Sequence, residues 1–159
     1  MFAADAVRCM RLSSGSSGGG GGDSYKYWRL TVGATNSAQL LLLVSYHLLD
    51  SNNEILRDQA IVTASYVDLS YPPNNALDDN TNSYWFTSTL PQWIQYAFPE
   101  PVSPESLLLR GYASTPSRSP RDFVLQASNN GTEWSNIIIV TGLTEADWGS
   151  IQLSWPIIY

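Results

Sequence analysis

The chain has 159 residues, of which 43% are hydrophobic, 12% aromatic and only 14% charged, enough apolar material for one domain with a proper core. Its formal charge is −6 and Lys26 is its single lysine; with no basic stripe to release counterions from phosphates, nucleic-acid binding is excluded and anionic membranes are disfavoured. Cys9 and His47 are each the only residue of their kind, so an intrachain disulfide is impossible and a zinc or Cys–His catalytic site lacks its ligands.

The first 24 residues differ from all that follow. MFAADAVRCMRL is a short mixed segment, and SSGSSGGGGGDS adds an unbroken glycine run from Gly18 to Gly22. Such a run costs much backbone entropy to order and acts as a linker. It reads either as a bare tail or as a tether, anchored on a partner through Met1, Phe2, Val7, Met10 and Leu12. Arg8 and Arg11 are not followed by an apolar stretch and a cleavage site, so no signal peptide is expected. The most apolar run, Leu40 to Leu49, is interrupted by Ser45 and His47 and is too short for a bilayer, which takes about 20 apolar residues.

From Tyr25 onward the chain reads as strands. YWRLTVG alternates, with Trp28, Leu30 and Val32 on one face and Arg29 and Thr31 on the other. QLLLLVSYHLL fits a buried strand or a short helix, and the SNN turn follows. IVTASY is β-branched. SYPPNNALDDNTNS is irregular, punctuated by Pro72 and Pro73. QWIQYAF opposes Ile94, Tyr96 and Phe98 to Trp93, Gln95 and Ala97. SLLLRGY is a further strand, and STPSRSPRD is a loop. FVLQAS places Phe123, Leu125 and Ala127 together. Asn130-Gly131 is a hairpin signal that suits a type I′ turn, before NIIIVTG and SIQLSW. Short strands with turn chemistry between them predict an antiparallel sandwich over 25–159. Trp85, Trp93, Trp134 and Trp155 are expected in its core.

Three segments carry a family resemblance. ALDDNTNSYW resembles the A-hydrophobic-D-G-N-x-x-T-x-W loop of the discoidin, or coagulation-factor type C, family. PQWIQYAFPEPV and SPRDFVLQASNNGTEWSNI are similar to its next two motifs, in order. YKYWRLTV resembles a strand that ends many discoidin domains, but here it comes first, an order similar to discoidin-like domains of tailed bacteriophages. The resemblance implies a galactose-binding-like jelly-roll sandwich, preceded by an extended N-terminal tail, without catalysis and with ligand sites in loops.

The resemblance also implies candidate site residues. In the family the D-G-N loop often holds a structural calcium, whose matching positions here are Asp78, Asn80 and Ser83. Asp79 stands where glycine is usual. The acidic ligand often supplied after W-R-L is missing, with Ser45 and His47 the nearest polar residues. The other reading of this loop is a turn held by Asx hydrogen bonds. For sugars, Tyr71, Tyr84 and Trp148 are candidate stacking faces, along with Tyr66. Arg118 and Arg121 are candidates for a carboxylate. His47 lies in an apolar run and reads as a packed sheet residue, and the adjacent Asp78 and Asp79 make a poor acid–base pair.

The reading that follows is a non-catalytic virion structural protein of a tailed phage, a capsid decoration or a tail or fibre accessory, made in the host cytoplasm. Its expected partners are other virion proteins, through the N-terminal tail, and host surface glycans. Multiple copies or a homo-oligomer are expected. The alternative is a free-standing carbohydrate-binding module or an accessory module of a glycosidase.

Overall fold

A computed structural model describes residues 23–37, 39–150 and 152–159. The alternation of YWRLTV builds β1 (Tyr25–Thr35), whose Trp28, Leu30 and Val32 are wholly buried. β1 is antiparallel both to β5 (Gln92–Val102) and to β7 (Pro120–Ser128). The edge strand β3 (Ile61–Ala64) and β8 (Ser135–Val140) complete a five-stranded sheet in the order β3-β5-β1-β7-β8. The second sheet runs β4-β2-β6-β9, made of β4 (Trp85–Thr87), β2 (Leu41–Leu49), β6 (Ser106–Gly111) and β9 (Gln152–Pro156). The expected all-β antiparallel sandwich is therefore present, with nine strands among the described residues. The second core layer is made by Leu41, Leu43, Tyr46 and Leu48 of β2, with Leu107, Leu109 and Trp155.

Two buried tyrosines tie the sheets together by hydrogen bonds rather than leaving polar atoms stranded. The Tyr46 hydroxyl donates to the Trp28 carbonyl at 3.2 Å, and the Tyr96 hydroxyl donates to the Tyr46 carbonyl at 2.9 Å. The QLLLLVSYHLL run, open to two readings from its sequence, is a strand buried on both faces. Its inner side meets the sandwich core. At its end Leu49 pairs with Ile55, and on its outer side His47 meets Asp79 of the loop before β4. A continuous apolar run is what a strand covered on both faces requires.

Two sequence expectations need correction. Trp93 and Trp134 are not core residues. Trp93 alternates out of phase with buried Ile94, so it points to the outer face of the five-stranded sheet. There the Arg29 guanidinium lies between the two indoles, 4.3 Å from the Trp93 ring centre and 3.8 Å from that of Trp134. Its Nε and Nη2 donate to Gln95 Oε1. The Asn130-Gly131 turn is not type I′ either. That turn needs positive φ at both residues, and only Gly131 has it, at 74°. Asn130 instead uses its Oδ1 to accept from the Thr132 and Glu133 amides, which fixes a longer loop between Ser128 and Ser135.

Candidate functional site

Strand register assembles the site at one end of the four-stranded sheet. Leu43 lies opposite both Trp85 and Gly111. Tyr84, just before Trp85, and Tyr112, just after Gly111, are therefore brought side by side. Their rings meet edge to face with centres 5.0 Å apart. Tyr71 is held alongside because the Phe86 amide donates to its carbonyl at 3.3 Å. Its ring stacks on Tyr84 at 4.8 Å, with 12° between the planes. The result is a row of three tyrosines, at the spacing aromatic pairs prefer, with Tyr71 40% exposed at its outer end. Burial and a hydrogen bond with Tyr71 hold the Tyr84 hydroxyl above the ordinary phenol pKa, while nearby Arg118 pulls the other way.

Beside Tyr112 opens a cleft of about 720 Å³, lined chiefly by Thr81, Asn82, Arg110, Tyr112 and Gln152. Arg110 and Gln152 are cross-strand neighbours on β6 and β9, and Arg110 Nη2 donates to Gln152 Oε1 at 2.6 Å. The floor is backbone at Gly111, where the chain passes tightly over Ser119 and Trp148. A Cβ there would overlap Ser119 Oγ and come within 3.0 Å of the Trp148 ring. A smaller cavity of about 180 Å³, lined by Ser45, His47, Asp79, Arg110 and Gln152 among others, adjoins this cleft through the last two residues.

Tyr71 stacks on Tyr84, and Arg118, which the sequence puts in a separate loop, comes near Tyr84, but the structure removes Trp148. That indole is 2% exposed and its Nε1 donates to the Pro120 carbonyl at 3.0 Å. It supports Gly111 from below and offers no stacking face. Arg121 spends its fork on its neighbour Asp122, with Nε and Nη2 at 3.1 and 2.8 Å from Oδ2. Tyr66 contributes its carbonyl, which accepts from Trp85 Nε1. Sequence reasoning missed Arg110, Tyr112, Asn82 and Gln152. Arg110 and Tyr112 fall in a segment that reads only as a strand. Their common place follows from the β6–β9 register, which no local motif carries. The proposed anchor residues Met1, Phe2, Val7, Met10 and Leu12 lie outside the described residues.

The loop before β4 does two jobs with its adjacent aspartates. Asp78 turns inward to the loop: its Oδ1 accepts from the Asn80 amide, and both its oxygens lie 2.8–2.9 Å from Ser83 Oγ. The carbonyls of Asn80 and Asn75 lie 3.0 and 3.4 Å from the same hydroxyl. A hydroxyl has one proton for these four acceptors, so the oxygens gather beyond what hydrogen bonding uses. Hard oxygen donors of this kind fit calcium, which takes 6–8 of them. Asn80 would enter that set through its carbonyl, because its side chain caps the Asn82 amide instead.

Asp79 faces away from that cluster. Its φ of 59° is left-handed, the conformation for which the family's usual glycine is suited. Its carboxylate bridges His47 Nε2 at 3.0 Å and Arg57 Nη2 at 2.7 Å. His47 is buried as expected, and Asp79 partners its Nε2, while its Nδ1 is buried without a hydrogen bond. A packed histidine and a departure from the family pattern are thus one contact.

The model for the F5/8 type C domain matches residues 61–157. The chain belongs to the F5/8 type C domain family. No curated protein and no solved structure matches it. F5/8 type C domains are generally binding modules. Among the described residues, no helix is long and apolar enough to cross a membrane.

Proposed function

We propose that this F5/8 type C domain is a non-catalytic saccharide-binding module whose site is the cleft beside Tyr112. The observation that carries the reading is the row Tyr71–Tyr84–Tyr112 leading into a cleft of amide, hydroxyl and guanidinium donors. An aromatic ring packs against the C–H face of a sugar, and convergent polar groups fix its hydroxyls. Calcium at the Asp78–Ser83 loop would hold the rim of the cleft, because Thr81 and Asn82 belong to that loop. A second reading keeps the virion setting. It is supported by the strand order alone, in which the leading β1 is the central strand of its sheet. Displayed in many copies, weak single sites would gain avidity.

The test is retention of the full chain on immobilised polysaccharides and glycan arrays, beside Tyr84→Ala with its folding checked by thermal melting. Binding that is lost in Tyr84→Ala while the melt stays cooperative supports the site. Absence of binding to every glycan, or binding unchanged by Tyr84→Ala, overturns it.

A further inference from the structure

We infer that the cleft selects an acidic saccharide, one bearing a carboxylate such as a uronic acid. This deepens the saccharide-binding reading and rests on it. The chain is acidic overall, with 14 carboxylate side chains against 8 basic ones. The lining of the cleft reverses that balance. Among the described residues that line it, Arg110 is the single charged one and none is Asp or Glu.

Arg110 forms no ion pair with any carboxylate among the described residues. Its side chain is held by the neutral Gln152 oxygen, which orients the guanidinium without cancelling its charge. The adjoining cavity does contain a carboxylate, that of Asp79, but Arg57 and His47 already engage both its oxygens. Arg118 is near Tyr84 and does not line the cleft. An oriented, unpaired guanidinium matches a carboxylate's two oxygens, a fit that a neutral hydroxyl cannot reproduce. Asn82, Thr81 and the backbone at 113–114 remain for the sugar hydroxyls, with Tyr112 as the apolar wall.

The experiment is calorimetric titration of the full chain with matched pairs of oligosaccharides, oligogalacturonate against oligogalactose and a glucuronate oligomer against its glucose counterpart. We expect the acidic member to bind about tenfold more tightly, the scale of one charge-assisted hydrogen bond, with the preference shrinking as salt is raised. Arg110→Gln should remove the preference. Thr81→Asp, on the exposed rim, should also remove it while leaving the Arg110–Gln152 pair in place, which keeps the test valid if Arg110→Gln fails to fold. Equal binding of the acidic and neutral members overturns the charge selection and leaves the saccharide-binding module standing. Binding of neither member of any pair, alongside binding of an acidic peptide, overturns both.

Discussion

Replacing Asp79 by glycine, the residue usual in the family at this place, should destabilise the domain. Left-handed backbone costs a residue with a Cβ about 1–2 kcal/mol, and Asp sits toward the low end because its short side chain bonds locally. Asp79→Gly would recover that. It would also strand His47 Nε2–H, whose side chain is 5% exposed, and an unpaired buried donor costs about 1–3 kcal/mol. The Arg57 contact is half exposed and adds about 0–1 kcal/mol. The losses outweigh the gain, so we expect net destabilisation of about 1 kcal/mol. Asp79→Asn keeps an acceptor for His47 and tolerates the same φ, so it should cost less. In a His47→Leu background there is no donor to strand, and Asp79→Gly should become neutral or stabilising. Urea unfolding at pH 7.5 in EDTA, read as the midpoint at unchanged slope, measures all four variants and their coupling. An Asp79→Gly protein as stable as the parent, or the same effect with and without His47, would refute the reasoning.

Three further outcomes follow from the same geometry. Gly111→Ala forces a methyl onto Ser119 and Trp148 and should cost about 1–3 kcal/mol as overpacking, seen as a lower melting temperature; an unchanged melt would show that the floor can yield. Burial holds the His47 imidazole below its ordinary pKa of 6.5, outweighing the opposing pull of Asp79, with Arg57, Arg110 and Asp78 also facing it. The unfolded chain therefore binds the extra proton first, and stability should fall as pH drops below about 6.5; Asp122, held low by Arg121, and Asp147, held low by the Thr144 amide, act only below 3.8. A parent protein as stable at pH 5 as at pH 7, or the same decline in His47→Leu, would contradict this. Calcium should raise the melting temperature over that in EDTA, and Asp78→Ala should abolish the rise; equal melts with and without the ion would remove the site.

The strands were legible wherever alternation was strict. β1, β5 and β7 each bury the face that their sequences nominate, because a period of two leaves one choice of inside. Trp93 shows the limit of judging a residue by type. Its phase in QWIQYAF already placed it opposite Ile94, and the alternation, not the size of the indole, decided its face. Trp148 failed for the converse reason: a loop position suggested exposure, but the Pro120 carbonyl, 28 residues away in sequence, accepts its N–H. The tyrosine row was half legible. Tyr71 and Tyr84 stand in irregular chain and invite attention, whereas Tyr112 becomes a partner only through the pairing of Leu43 with both Trp85 and Gly111. Arg110 and Gln152 are 42 residues apart, and nothing local announces them.

The family match begins at residue 61, yet the fold cannot begin there. β1 lies between β5 and β7, and β2 between β4 and β6, so both sheets are split without them. A sheet opened at its centre leaves two facing rows of unpaired amides and carbonyls, each costly when buried, and loses Trp28, Leu30, Leu43 and Tyr46 from the core. The folding unit therefore includes residues 25–49 along with the matched segment. The same strands reach the site. His47 of β2 holds Asp79, Asp79 is covalently next to Asp78, and their loop carries Thr81 and Asn82 to the rim of the cleft. A contact from outside the matched region thus sets the position of the residues that would meet a ligand. In this chain the family's loop motif supplies the rim, but the leading strands decide where that rim stands.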